Sequence, residues 1–140
     1  MRFLFAASAA FAAMLASAPL AATEPIDGLW ITAEKTGEVR IGDCGAVRCG
    51  RLAKFLVNPP QGPGQRDTNN PDKALRTRKL LGLPILTGFR PDGAVWRGTI
   101  YDPKSGKSYR SVLRRLDASR LEVKGCVGPF CQTQVWRRAN

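Results

Sequence analysis

Two turn signals set close together between Gly82 and Tyr109 constrain this chain more than any other feature. Arg90-Pro91-Asp92-Gly93 and Asp102-Pro103-Lys104-Ser105-Gly106 each put a proline where a type I turn needs φ of about −65°. Each then supplies a glycine free to take positive φ. Residues rich in β-formers flank both signals, so strands over 83–90, 94–101 and 107–116 are laced together by two hairpins. The same alternation predicts strands over 28–33, 37–42 and 49–57 before them, and over 120–126 and 131–137 after them. The interval between the third and fourth strands reads differently. Asn58 to Asn70 is crowded with Pro, Gly, Asn and Asp and is loop. Asn70 to Gly82 carries helix punctuation: Asn70 as cap, Pro71 at the first position, Asp72 near the positive end, Arg78 and Lys79 in the last turn, Gly82 as the stop. One short helix is predicted there. Eight short antiparallel strands must hide their edges, and the expected fold is an all-β, eight-stranded up-and-down barrel, with a two-sheet sandwich as the alternative.

The chain before the first strand reads as a leader. Arg2 gives a positive start, Phe3 to Leu15 is an apolar run too short to span a bilayer, and Ala16 to Ala22 is a small-residue cleavage zone. Cleavage is expected after Ala22. A cut after Ala18 also satisfies the small-residue rule but leaves Pro19 at the new terminus. The domains expected are therefore a signal peptide over 1–22 and one barrel domain over 23–140, whose length suits a single modest core. The first cysteine is Cys44, which argues against a lipid anchor at a new terminal cysteine. No later stretch approaches the length of a transmembrane helix. A periplasmic, monomeric protein is expected.

Net charge is +11, with 22 Lys and Arg against 11 Asp and Glu. Export turns attention from nucleic acid to other anions, such as lipid headgroups, lipopolysaccharide or acidic polysaccharide, and the cations are spread rather than clustered. Solvated strand faces are the plainer account of the same charge.

Cys44 and Cys49 flank one turn and Cys126 and Cys131 another, with equal spacing. Hairpin loops of this length let each pair sit opposite on adjacent strands, and disulfides persist outside the cytoplasm. Four cysteines allow three pairings; Cys44–Cys49 and Cys126–Cys131 are expected. By strand phase Cys44 shares a face with Arg40, and Cys126 with Glu122 and Lys124, which puts both on the polar side. A four-cysteine zinc site is the sharper alternative, at a spacing that zinc ribbons do not favour. No metal or cofactor is expected.

Histidine is absent, which removes the commonest general base and the Ser-His and Cys-His nucleophile systems. Asp67 and Asp102 are the carboxylates an enzyme would use, but every Asp lies in or beside a turn, where it serves the backbone. An enzyme is thus the least favoured reading. If Trp136 points inward, Gln134 and Gln132 follow it, and two amides inside a barrel need partners or a ligand. If Trp96 points inward, Gly98 leaves space at the wall. Arg76 and Arg78 are placed to hold a carboxylate or phosphate at a barrel mouth, or simply to face solvent. With Tyr101, these residues (Arg76, Arg78, Trp96, Gln132, Gln134) make up the candidate ligand set.

Several of the quoted stretches resemble a family of exported bacterial proteins of unknown function, DUF2147. They are Gly28-Leu29-Trp30, Asp67 with Asn70-Pro71-Asp72, Leu75-Arg76 through Arg78 and Leu80-Leu81-Gly82, then Ile100-Tyr101-Asp102-Pro103 with Ser105-Gly106-Lys107 and Tyr109, and finally Gly125-Cys126 and Gln134-Val135-Trp136-Arg137. The resemblance implies a lipocalin-like barrel in which Trp30 stacks on Arg137 or Arg138 and closes one end. It implies no activity. The leading expectation is non-enzymatic binding of a small amphipathic or anionic ligand. The alternative is an envelope protein-interaction module with a filled barrel, touching partners through loop 58–81.

Overall fold

The computed structural model describes residues 13–19 and 22–140; most of the leader expected over 1–22 lies outside them. Eight strands follow in order: β1 (Gly28–Ile31), β2 (Gly37–Cys44), β3 (Val47–Phe55), β4 (Pro84–Asp92), β5 (Val95–Asp102), β6 (Lys107–Arg115), β7 (Arg120–Val127) and β8 (Phe130–Arg138). Each pairs antiparallel with the next, and β1 pairs with β8 through Trp30↔Arg138 and Ile31↔Arg137, so the sheet is a closed barrel. All eight expected strands form, and the sandwich alternative is overturned by that closing pair.

The expected helix shrinks to one 3-10 turn, Lys73–Leu75, in the connection between β3 and β4. The punctuation works locally: Asp72 accepts from the Ala74 N–H at 3.0 Å, and Asn70 Oδ1 from the Asp72 N–H at 2.9 Å. No residue of the turn is buried, however, and a helix without a packed apolar face does not extend in water. The chain doubles back instead, with the Asp67 N–H donating to the Arg78 carbonyl at 2.9 Å.

Antiparallel order sends the β1–β2, β5–β6 and β7–β8 turns and the β3–β4 connection to one end of the barrel. The other end takes the remaining turns, the start of β1 and the end of β8. This second end is sealed. Trp30 is fully buried there, its Nε1 donating to the Ile26 carbonyl at 2.9 Å. Arg138 lies 4.6 Å and Arg115 5.3 Å from the centre of its ring. Arg115 Nη1 also donates to the Pro25 carbonyl at 2.7 Å, and Trp96 Nε1 to the Glu24 carbonyl at 2.9 Å, which ties residues 24–27 across the opening. Arg138, not Arg137, stacks on Trp30: Arg137 is paired with Ile31, and alternation along β8 turns it out to solvent.

Above this seal the barrel is packed by Val39, Leu86, Phe89, Leu113, Leu121 and Trp136. Gly98 leaves no void, contrary to expectation. A Cβ there would stand 2.7 Å from the Phe89 ring and 2.6 Å from the Thr87 carbonyl oxygen, so the glycine is what lets Phe89 lie flat on the wall.

Both expected disulfides are present, Cys44–Cys49 and Cys126–Cys131, and the zinc alternative falls with them. Cys126 and Cys131 are direct partners in the ladder. Cys44 and Cys49 are not: Cys44 faces Val47 and Cys49 faces Gly42, so this bridge runs diagonally. Nor do they all lie on a solvated face, since Cys49 and Cys126 are buried.

Candidate functional site

The packed core stops partway up the barrel. Toward the open end lies a cavity of about 620 Å³, bounded below by Val123, Ile100 and Trp136, and on the β8 side by Gln134 and Gln132. A second lobe of about 490 Å³ shares Thr32, Thr36, Ile85, Asp102, Pro103 and Lys104 with it and extends under the β3–β4 connection. That lobe is mainly apolar, walled by Leu52, Phe55, Val57, Pro59, Pro60 and Leu80.

The inward phase expected for β8 accounts for the polar wall. Trp136 faces Leu121, Gln134 faces Val123 and Gln132 faces Gly125, all on the interior side of β7 and β8. Gln134 Oε1 accepts from Trp136 Nε1 at 3.2 Å, which fixes the amide and leaves its NH₂ turned to the cavity. Charged side chains reach the lining only at its rim. Glu34 and Lys104 pair with each other at 2.5 Å. Asp102 accepts from the Lys104 N–H at 3.0 Å and the Ser105 hydroxyl at 2.8 Å, the turn role expected of it.

Tyr101 links this cavity to a second cluster, built on Asp67. The Asp67 side chain has no solvent exposure. Its Oδ1 accepts from the Tyr101 hydroxyl at 2.6 Å. Its Oδ2 accepts from Arg78 Nε at 3.1 Å, Arg78 Nη2 at 3.0 Å and Asn70 Nδ2 at 2.9 Å. A buried carboxylate is tolerated only when paired and fully hydrogen-bonded, and this one is both. Burial, and then the hydrogen bond to Asp67, push the Tyr101 hydroxyl up to about 12, so it stays a donor at any physiological pH. Arg76 Nε completes the cluster by donating to the Asn70 carbonyl at 2.7 Å. Next to it, Asn69 Nδ2 donates to the carbonyls of Pro103 and Lys104 at 3.2 and 3.0 Å. The β3–β4 connection is thereby fastened to the β5–β6 turn.

Gln132, Gln134 and Tyr101 of the expected ligand set line the cavity. The other three do not. Arg78 is the counter-ion of Asp67, and Arg76 Nε is bound to the Asn70 backbone; neither lines the cavity. Trp96 sits at the sealed end, its indole bonded to Glu24 and Arg48 lying 5.7 Å over its ring. The carboxylates expected of an enzyme are likewise committed, Asp67 to its cluster and Asp102 to its turn. The Asp67 cluster was missed because an Asp among Asn, Pro and Gly reads as a turn residue. Its signal lay in the stretches that carry the family resemblance, since Asp67, Asn70, Arg78 and Tyr101 all belong to them.

No curated protein matches the chain. Among solved structures, protein HP1028 from the human pathogen Helicobacter pylori, described as belonging to the lipocalin family, superposes with a TM-score of 0.73. The match covers 84% of this chain and 85% of that one at 20% identity, a likeness of fold. Residues 28–138, from the first of β1 to the last of β8, match the family described as uncharacterized protein conserved in bacteria (DUF2147), and the chain belongs to it.

Proposed function

We propose that this protein is exported to the periplasm, loses residues 1–22, and binds a small amphipathic molecule in the cavity at the open end of its barrel, without chemistry. One observation carries the reading: the barrel is packed in its sealed half and unfilled in its open half, where an apolar lobe adjoins a wall of amides. A volume of about 620 Å³ lies within the usual range for small-molecule sites. The apolar part of the ligand lies among Leu52, Phe55 and Ile85, and an uncharged hydrogen-bonding group meets Gln132 and Gln134. A fully anionic head is disfavoured, because the guanidinium of Arg78 already serves Asp67. Two disulfides and the leader composition support an oxidising compartment.

Titration with an environment-sensitive fatty-acyl fluorophore tests the proposal. Saturable binding is expected in the wild type. Ile85→Trp, which places an indole in the space shared by the two lobes, is expected to weaken it by about tenfold or more. A wild type that leaves the fluorophore dark, or an Ile85→Trp variant that binds as well as wild type, rejects the site.

A further inference from the structure

The surface around the mouth differs from the rest of the barrel. Phe130 is 81% exposed and Val127 65%, both in the β7–β8 hairpin, and Val57 is 59% exposed at the start of the β3–β4 connection. All three border the cavity. From β1 onward, the exposed large apolar side chains lie in that hairpin or that connection, Val135 excepted. The hairpin tip is firmly held. Cys126–Cys131 bridges its base, and Arg110 Nη2 donates to the Gly128 carbonyl at 2.5 Å. An aromatic ring kept in water on a braced tip costs solvation that a buried position would recover.

Cations stand around the tip. Lys35 in the β1–β2 turn, Lys107 at the start of β6 and Arg110 beside the tip are all exposed. Acidic groups at the same end are engaged within the protein: Glu34 with Lys104, Asp67 with Arg78, Asp72 and Asp102 with backbone N–H groups. Hydrogen bonding leaves these four carboxylates charged, but residues 32–36, 56–83 and 102–107 with Arg110 carry nine Lys and Arg against them, so the net charge of this end is positive.

We infer that the open end docks on an anionic lipid bilayer, with Phe130 and Val127 entering the headgroup region while Lys35, Lys107 and Arg110 meet lipid phosphates. A protein partner fits less well. A stable protein interface buries roughly 800 Å² on each side, usually over a broad surface, whereas this apolar area is a small projecting tip. A few apolar side chains ringed by cations are what an interfacial anchor requires. Docked this way, the mouth faces lipid, and an amphipathic molecule passes between bilayer and cavity without crossing bulk water. That last step rests on the ligand-binding reading; the docking does not.

Flotation with vesicles tests the docking on the chain beginning at Thr23. This chain keeps the contacts across the closed end that the described residues make, from Thr23, which donates to the Gly93 carbonyl, through Ile26. Binding is expected to vesicles of phosphatidylcholine mixed with phosphatidylglycerol, and little to phosphatidylcholine alone. Phe130→Ser with Val127→Ser is expected to lower it about tenfold, and high salt by a similar factor. Thermal melts of the same variants confirm that the barrel is intact. The sealed-end variant Arg97→Ser is expected to bind vesicles as wild type does. Absence of binding to the anionic vesicles, a Phe130→Ser/Val127→Ser protein that binds unchanged, or an equal loss in Arg97→Ser each overturns the docking. Ile85→Trp separates the two proposals: it should lose the fluorophore and keep the vesicles. A wild type that floats with vesicles yet never takes up fluorophore leaves docking standing and removes the cargo.

Discussion

At the scale of single residues, Asp67 is where the most is at stake. Its carboxylate is out of water and satisfied by four donor atoms. Asp67→Asn removes the charge Arg78 answers, and a loss of about 2–3 kcal/mol is expected in urea denaturation. Tyr101→Phe deletes one strong hydrogen bond and should cost about 1–2 kcal/mol. This second cost depends on pH in a defined direction. The Tyr101 hydroxyl is raised to about 12 in the fold, so the stability it lends is whole below its ordinary value of about 10. It is lost as pH climbs through the folded value. Melting wild type and Tyr101→Phe side by side in alkali should therefore show their difference shrinking between about pH 10 and about pH 12. A constant difference would mean the hydroxyl does not hold Asp67. Gly106 works at the same joint. Its φ is +71°, and a Cβ on it would stand 1.9 Å from the Asn69 carbonyl oxygen. Gly106→Ala is expected to cost about 2 kcal/mol and to weaken fluorophore uptake, because the displaced connection is one wall of the cavity.

Elements were legible to very different degrees. The strands could be read because each combines period-two alternation with turn residues whose backbone angles leave few choices, as at Pro91-Asp92-Gly93 and Pro103 to Gly106. The helix could not, because caps mark where a helix stops but only a buried apolar stripe makes it continue, and 70–82 has none. Phase also located Gln132 and Gln134, four and two residues before an inward Trp136. Phase says nothing about height along the barrel, which is why Trp96 joins the expected ligand set although its strand begins at the sealed end. Arg76 and Arg78 lie off the cavity for another reason: a fold-back that no local pattern announces brings Asp67 to Arg78, while Arg76 is held on the Asn70 carbonyl. Among these elements the β7–β8 hairpin offers the simplest test. Replacing Cys126 and Cys131 together by serine should cost about 2 kcal/mol, since the bridge closes a short loop. Equilibrium unfolding of the oxidised wild type against this variant measures it.

For the molecule as a whole, the seal and the opening divide the labour. Residues 24–27 belong to no strand, yet Ile26 is fully buried and its carbonyl holds the Trp30 indole. A chain shortened to begin at Gly28 should lose about 2–3 kcal/mol and show Trp30 fluorescence shifted to the red as water reaches the ring. Lys and Arg dominate the sequence count, but the structure shows what that excess leaves outward once the ion pairs are made, and composition alone could not. The pairing of β1 with β8 has a temporal side as well. The ring is finished only when β8, the last of the eight strands in chain order, reaches β1, so a chain still lacking it has two bare edges. Connectivity by itself keeps such a chain loose until its final strand arrives, and any product cut short before Arg138 stays open to proteases.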